Sequence, residues 1–261
     1  MNIAVFTCIA FAMMLTLAPE STKLLAASPK LGSVATNVPY EHRTLQLSQD
    51  GETASIEDFV VRRSGTDVRI VDLLSLNLQT YTLASAADVL APFILIDSGA
   101  SAGGSSSLPS AVGLVMTVGK IVSPLSQSQF ASGVFCILAD GTAIIARSGS
   151  FGTLHCSSAV QSGPLIVEPN RKIGIGPNDL KRRDIYAHSL AALERDGTLH
   201  LMWTTPVHLY HLARFLLDHT SVQSVINLGA KGGVFTRVNG ATKSFGNVQS
   251  SIAAAIGVFP R

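Results

Sequence analysis

The chain has 261 residues, of which 47% are hydrophobic and only 14% charged, and its formal net charge is +2. Soluble proteins carry about 25% charged residues, so a chain this poor in charge and rich in apolar side chains is not intrinsically disordered. Its 22 scattered glycines and 11 prolines exclude collagen-like and low-complexity classes. The small net charge, with Lys and Arg dispersed apart from Arg62-Arg63 and Lys181-Arg182-Arg183, excludes the electrostatic footprint of a nucleic-acid binder.

The apolar excess begins at the N-terminus. Residues 3–18 (IAVFTCIAFAMMLTLA) contain no charge, Pro or Gly. The run is shorter than the about 20 residues a membrane-spanning helix needs. A small-residue site, Leu25-Ala26-Ala27, follows before Ser28-Pro29. Residues 1–27 therefore read as a signal peptide, with an uncleaved anchor as the alternative. Cleavage makes the protein secreted or periplasmic, with no stable membrane span. It also removes Cys8 and leaves Cys136 and Cys156. In an oxidising compartment that pair can form a disulfide; two buried thiols are the alternative. Two cysteines with nineteen residues between them are not a zinc pattern.

Residues 28–42 read as an irregular lead-in, with Pro29, Gly32 and Pro39, and 28–66 as lead-in plus first strands. Alternation of polar and apolar residues predicts strands at Thr44–Ser48, before an Asp50-Gly51 turn, and at Asp67–Asp72. Residues 84–90 predict a helix that stops before Pro92. Phe93–Ile96 predicts a buried strand, and Val115–Val122 a pair of strands turning near Gly119-Lys120. Asp140-Gly141 and Asp196-Gly197 each sit between apolar runs, the signature of a hairpin. Thr205 and Pro206 suit the cap and first position of a helix whose apolar face runs from Val207 to Leu217. A strand at Val222–Leu228 follows. Many hairpins and few helices predict an α+β fold, a mixed and largely antiparallel sheet packed with helices in a single domain.

Short motifs carry little. Gly99-Ala100-Ser101-Ala102-Gly103 matches the nucleophile-elbow spacing, but the residues after it suit a loop rather than the helix that motif requires. His208 and His211 share a helix face. His219 lies eleven residues beyond His208, about 16 Å along a helix, so the three cannot hold one metal. Gly174-Ile175-Gly176-Pro177 lacks the third glycine of a dinucleotide fingerprint. Gly229-Ala230-Lys231-Gly232-Gly233 lacks the Lys-Ser/Thr of a phosphate loop.

A longer ordered series is more specific. Val112-Gly113-Leu114, Gly119-Lys120, Gly133-Val134-Phe135 and Gln161-Ser162-Gly163-Pro164 precede an Asp-Gly hairpin, a helix and a strand ending Asn227-Leu228. This series resembles the phosphodiester glycosidase family, from about Val68 to the strand at Ile252–Val258. The resemblance implies a hydrolase that releases a sugar from a phosphodiester, with a carbohydrate or sugar-phosphate partner. It implies substrate contacts at Gly99, Gln161, Ser162, Gly163, Asn227 and Gly229. Three family positions are altered. The family's Asn at the start of the first motif is Asp97 here. Its Arg, eight residues before the hairpin Asp, is His188. The Asp of its Leu-Asp-Gly strand end is Gly229.

A glycosidic bond is usually cleaved with two carboxyl groups, one as acid and one as base or nucleophile. The altered site therefore implies Asp97 and His188 as the ionisable catalytic pair. The alternative is a catalytically inactive member of the same fold that binds a glycan or anion. The resemblance leaves a divalent cation open as a cofactor and assigns no metal ligand.

Overall fold

The computed structural model describes residues 39–99, 101–102, 108–177 and 185–261. The expected signal peptide, the lead-in before residue 39 and the Lys181-Arg182-Arg183 run lie outside the described residues.

The chain enters a hairpin at once. β1 (Tyr40–Gln49) and β2 (Glu52–Val61) turn at Asp50-Gly51, whose φ angles are 49° and 82°. That left-handed pair makes the two-residue turn whose twist matches paired strands. β3 (Thr66–Asp72) follows. α1 (Leu83–Leu90) is capped by Thr82, whose side chain accepts from Ser85 N, and ends at a left-handed Ala91 before Pro92. β4 (Ile94–Ser98) is buried along its length. Two short pairs come next, β5 (Ser101–Ala102) with β6 (Ser110–Ala111), and β7 (Val115–Thr117) with β8 (Lys120–Ser123).

The two remaining Asp-Gly turns join β9 (Gly133–Leu138) to β10 (Ala143–Arg147), and β15 (His188–Glu194) to β16 (Leu199–Thr204). Between these hairpins run β11 (Cys156–Ser162), β12 (Leu165–Glu168), β13 (Lys172–Ile173) and β14 (Ile185–Tyr186). In both turns only the glycine is left-handed. The Asp side chains close the turns by accepting from Thr142 N and Thr198 N, each at 2.8 Å.

The helix expected from Thr205 starts later. Thr205 Oγ1 accepts from Ser55 N at 2.9 Å, so it is tied to β2 instead of capping. Val207–His208 form β17, and α2 spans Leu209–His219 with His208 as its cap. β18 (Val222–Ala230), β19 (Gly233–Val238), β20 (Ala241–Gly246) and β21 (Ala254–Pro260) complete the chain.

Every strand pairing among the described residues is antiparallel. A seven-stranded sheet runs β1-β2-β16-β15-β18-β12-β13, and two five-stranded sheets run β20-β19-β4-β21-β3 and β10-β9-β11-β7-β8. β1 and β2 are thus integral to the main sheet, with β2 paired to β16 from Val61↔Leu199 to Ile56↔Thr204. The α+β, largely antiparallel fold read from the hairpins is the one formed.

The central core lies between the sheets. Phe59, Leu201 and Ile226 of the large sheet meet Ile96, Val234 and Ile256 of one small sheet and Phe135 and Val160 of the other. α2 covers the opposite face of the large sheet through Leu212 and Leu216 against Leu190, Met202 and Val225. α1 covers the second sheet through Leu83, Ala86 and Ala87 against Leu95 and Ala255. Cys136 and Cys156 form a disulfide between β9 and the start of β11, with Cα atoms 5.6 Å apart. Among the described residues no helix is long and apolar enough to cross a membrane.

Candidate active site

Ile94 and Ile96 of β4 enter the central core while Leu95 packs toward α1. The end of that anchored strand carries Asp97 to the large sheet. The Ser189 hydroxyl donates to Asp97 Oδ1, and Gly233 N donates to the same oxygen at 3.1 Å. The other oxygen, Oδ2, lies over glycine. A Cβ on Gly229 would sit 2.6 Å from it, and a Cβ on Gly232 would overlap the whole carboxylate. Burial pushes the Asp97 pKa up to about 6, against the lowering effect of the Ser189 and Gly233 hydrogen bonds.

Asp97 forms part of the wall of a cleft of about 440 Å³, shared with Gly99, Ser162, Gly163, Asn227 and Gly229. Six of the eight sequence-predicted site residues therefore line one cavity. Phe130 and Lys231 line it as well. Ser162 Oγ donates to the Leu228 carbonyl at 2.9 Å, which leaves its lone pairs for a ligand. Asn227 is 5% exposed, and its Nδ2 donates to the Gly163 carbonyl at 2.9 Å. That bond fixes the amide's orientation, because a carbonyl needs the NH2 side. Asn227 Oδ1 is left buried with no partner. Gly163 has no room for a side chain, since a Cβ there would overlap the Phe130 carbonyl. Lys231 adopts a left-handed φ of 64° just past β18, and its Nζ lies 4.8 Å from the centre of the Tyr186 ring.

Gln161 and His188 take other positions. Gln161 is buried behind the cleft. Its Oε1 accepts from Ser126 N at 2.8 Å and Leu114 N at 3.1 Å, and its Nε2 donates to Ser126 O at 2.8 Å and Ala131 O at 2.7 Å. These four bonds use the full capacity of the amide. Gln161 thus pins the loop that presents Ser128, Phe130 and Ala131 to the cleft, and its amide has no capacity left for substrate. His188 is buried with Nε2 3.1 Å from the Val207 carbonyl, and it is not among the residues lining the cleft. The structure does not bring it to Asp97. Successive strand residues face opposite ways, and in β15 the neighbour, Ser189, faces Asp97. Opposite this strand end β18 carries one extra residue, Leu228, so Gly229 stands across from Ser189 and Asn227 across from Leu190, a pairing that residue counting does not show.

Sequence reading missed Ser189, Gly232, Phe130 and Lys231. Only Lys231 carried a signal, as a cation inside a glycine-rich stretch. The other motifs resolve as structure. Ser101 continues into β5, paired with β6, so no helix follows Gly99 as an elbow would require. His211 lies 3.1 Å from Glu52 and 3.7 Å from Asp50, while His208 caps α2. A ladder of Arg43, Asp58, His200 and Glu194, buried only at Asp58 and His200, crosses the large sheet away from the cleft.

Among the described residues Asp97 is the only carboxylate lining the cleft, and no histidine or cysteine lines it. Among the described residues no three His, Cys, Asp or Glu side chains cluster as a metal site. Hard divalent cations are held mainly by carboxylate and other oxygen ligands, and one carboxylate already bound by Ser189 and Gly233 is a poor anchor. Among the described residues the donor set does not fit a resident divalent cation.

The family model for phosphodiester glycosidase matches residues 95–259, from β4 to the last strand. The chain belongs to the phosphodiester glycosidase family. The match covers the cleft and leaves out β1 to β3 and α1. No curated protein matches in sequence. Among solved structures, the chain is similar to the zebrafish N-acetylglucosamine-1-phosphodiester alpha-N-acetylglucosaminidase catalytic domain auto-inhibited by pro-peptide. That likeness has a TM-score of 0.63 at 14% identity and covers 85% of this chain and 83% of that one. A hypothetical protein from Synechocystis matches with TM-score 0.65 and 12% identity, over 85% of this chain and 62% of that one. A putative exported protein from Burkholderia pseudomallei K96243 matches with TM-score 0.58 and 10% identity, over 80% and 74%. At these identities the structural likeness speaks for the shared fold.

Proposed function

We propose that this protein is an exported hydrolase that cleaves the glycosidic bond of a sugar phosphodiester, either free or within an envelope glycan. The observation that carries the reading is Asp97: a buried carboxylate with one oxygen held by Ser189 and Gly233 and the other over the glycines of a cleft large enough for a sugar phosphate.

A group with a pKa near 6 is mostly ionised at neutral pH and still basic enough to accept a proton. Asp97 then acts as general base. It takes a proton from a water whose oxygen bonds to the anomeric carbon as the bond to the phosphate oxygen breaks. The phosphate monoester leaves with the electron pair and needs little acid assistance, which accords with one carboxylate among the described residues of the cleft. The proton passes from Asp97 to solvent.

Membership of the phosphodiester glycosidase family supports this chemistry. The zebrafish neighbour, named for an N-acetylglucosamine-1-phosphodiester, suggests N-acetylglucosamine as the first sugar to try. The Cys136–Cys156 disulfide supports an oxidising compartment, in line with the expected signal peptide.

One observation favours the second reading, an inactive glycan- or anion-binding member: His188 lies outside the cleft, so among the described residues no second carboxylate and no histidine lines it beside Asp97. The test is hydrolysis of N-acetylglucosamine 1-(methyl phosphate), followed by release of free sugar, with wild type and Asp97→Ala. Turnover by wild type that Asp97→Ala lacks supports the hydrolase. Equal, background-level rates in both would sink it and leave the binding reading.

A further inference from the structure

We infer that the cleft is polarised, with a sugar-hydroxyl or acylamido subsite at Asn227, a phosphate subsite at Lys231, and the bond between the two groups beside Asp97. The inference rests on the sugar-phosphate reading of the cleft and orients the ligand within it.

Three positions of one chain segment set the axis. Asn227 and Gly229 of β18, on either side of the extra residue Leu228, and Lys231 just past the strand end all line the cleft. Extended chain advances about 3.3 Å per residue, so Asn227 and Lys231 are at most about 13 Å apart. Asp97 Oδ2 sits above Gly229, between them.

The two ends have opposite chemistry. At the first, Asn227 Oδ1 is a buried acceptor without a partner, held in place by the Nδ2 bond to Gly163. A buried orphan acceptor is costly unless a ligand supplies a donor. A sugar hydroxyl or an acylamido N–H is such a donor. A phosphodiester has only acceptors and would be repelled there. Gly163 packs on the Phe130 backbone, and Phe130 is 69% exposed on the loop pinned by Gln161. An exposed aromatic ring on a fixed loop beside a buried acceptor suits the mixed apolar and hydroxyl surface of a sugar. At the other end Lys231 supplies an ammonium group with no carboxylate partner among the described residues; Tyr186 is its neighbour. A compact cation of this kind binds phosphate as a point charge.

Binding measurements test the assignment without turnover. The probes are N-acetylglucosamine, inorganic phosphate and N-acetylglucosamine 1-phosphate, measured by calorimetry on the intact folded protein. On wild type, saturating phosphate should leave the affinity for the free sugar within about twofold, because the two occupy opposite ends. Lys231→Met should weaken phosphate and the sugar phosphate by roughly tenfold, about 1.4 kcal/mol, and leave the free sugar unchanged. Asn227→Leu should weaken both sugars and leave phosphate unchanged. Lys231 is exposed, so its variant folds even if the buried Asn227 variant does not. Competition between phosphate and sugar on wild type, or a Lys231→Met loss that falls on the free sugar, overturns the orientation while the sugar-phosphate reading stands. Failure of all three probes to bind wild type overturns both.

Discussion

Asp97 Oδ2 lies 2.6 Å from the point where a Cβ on Gly229 would stand. The resemblance to the phosphodiester glycosidase family places an Asn at position 97 and an Asp at position 229. Here the acid is at 97 and the side chain at 229 is missing. The carboxylate of Asp97 fills space next to which a side chain at 229 would project. The two positions that the resemblance marks as altered thus face each other across one contact, and the carboxylate here comes from β4.

Gly229→Asp alone places two carboxylates side by side in a buried site and should destabilise strongly, with little activity. Asp97→Asn alone removes the base. The double variant Asp97→Asn/Gly229→Asp restores a single carboxylate. It should recover stability relative to Gly229→Asp, with a coupling energy of roughly 1–3 kcal/mol. Denaturant melts of the four proteins give that coupling directly. Additive effects would show that the exchange is coincidental.

Gly232 is tighter still. A methyl group there overlaps the Asp97 carboxylate and expels it from its bonds to Ser189 and Gly233. Gly232→Ala should cost at least about tenfold in kcat/KM, or about 1.4 kcal/mol. Gly240→Ala is a fair comparison, since that glycine has open space around it; it should keep wild-type kcat/KM despite some backbone strain.

Ser189 and His188 are chain neighbours with different expected roles. The Ser189 hydroxyl lowers the Asp97 pKa, so Ser189→Ala should move it further up from about 6. If Asp97 is the base, kcat/KM rises with pH through that pKa, and the Ser189→Ala profile is displaced to higher pH. His188→Asn should lower the melting temperature and leave the position of the limb unchanged. A displaced limb in the His188 variant alone would refute the assignment.

Burial of Asp97 also gives stability a pH dependence of definite sign. The folded-state pKa, about 6, lies above the roughly 3.9 of an unfolded Asp. The folded protein holds its proton more tightly, so this stability is fully present below the unfolded pKa. It is lost as pH rises through the folded value. Two units correspond to roughly 3 kcal/mol. Asp97→Asn keeps an acceptor for Ser189 and Gly233 and removes the charge. It should exceed wild type in melting temperature at pH 8, with the gap closing toward pH 4. A constant gap across that range would contradict the buried-charge account.

Gln161 tests the scaffold. Gln161→Leu leaves the amides of Leu114 and Ser126 and the carbonyls of Ser126 and Ala131 without their partner. Unsatisfied buried groups cost about 1–3 kcal/mol each, so the loss in a melt should be several kcal/mol. Proteolysis should then find the 124–131 loop first.

Much of the fold was legible because it follows from local rules. Alternation marked β3, the Asp-Gly pairs marked two hairpins, and Pro92 marked the end of α1. The start of α2 was misread because the Ser55 backbone, distant in sequence, claims the Thr205 hydroxyl that would otherwise have capped it. Glycine and serine positions of the cleft were legible from the Gln-Ser-Gly-Pro series, since only glycine fits beside the Phe130 carbonyl at Gly163.

The sequence by itself determined that the chain is a charge-poor, hairpin-rich domain of a recognisable family with a substituted site. Tertiary structure alone decided which substitutions belong to the site. Strand residues alternate faces, which turns Ser189 toward Asp97 and His188 away, and an extra residue in β18, Leu228, puts Gly229 opposite Ser189. Asp97, Gly229 and Gly232 meet through pairing between segments more than a hundred residues apart. His188 is turned away toward Val207 by the same geometry that turns Ser189 toward Asp97. Low charge in the sequence becomes, in three dimensions, a single carboxylate placed where burial raises its pKa.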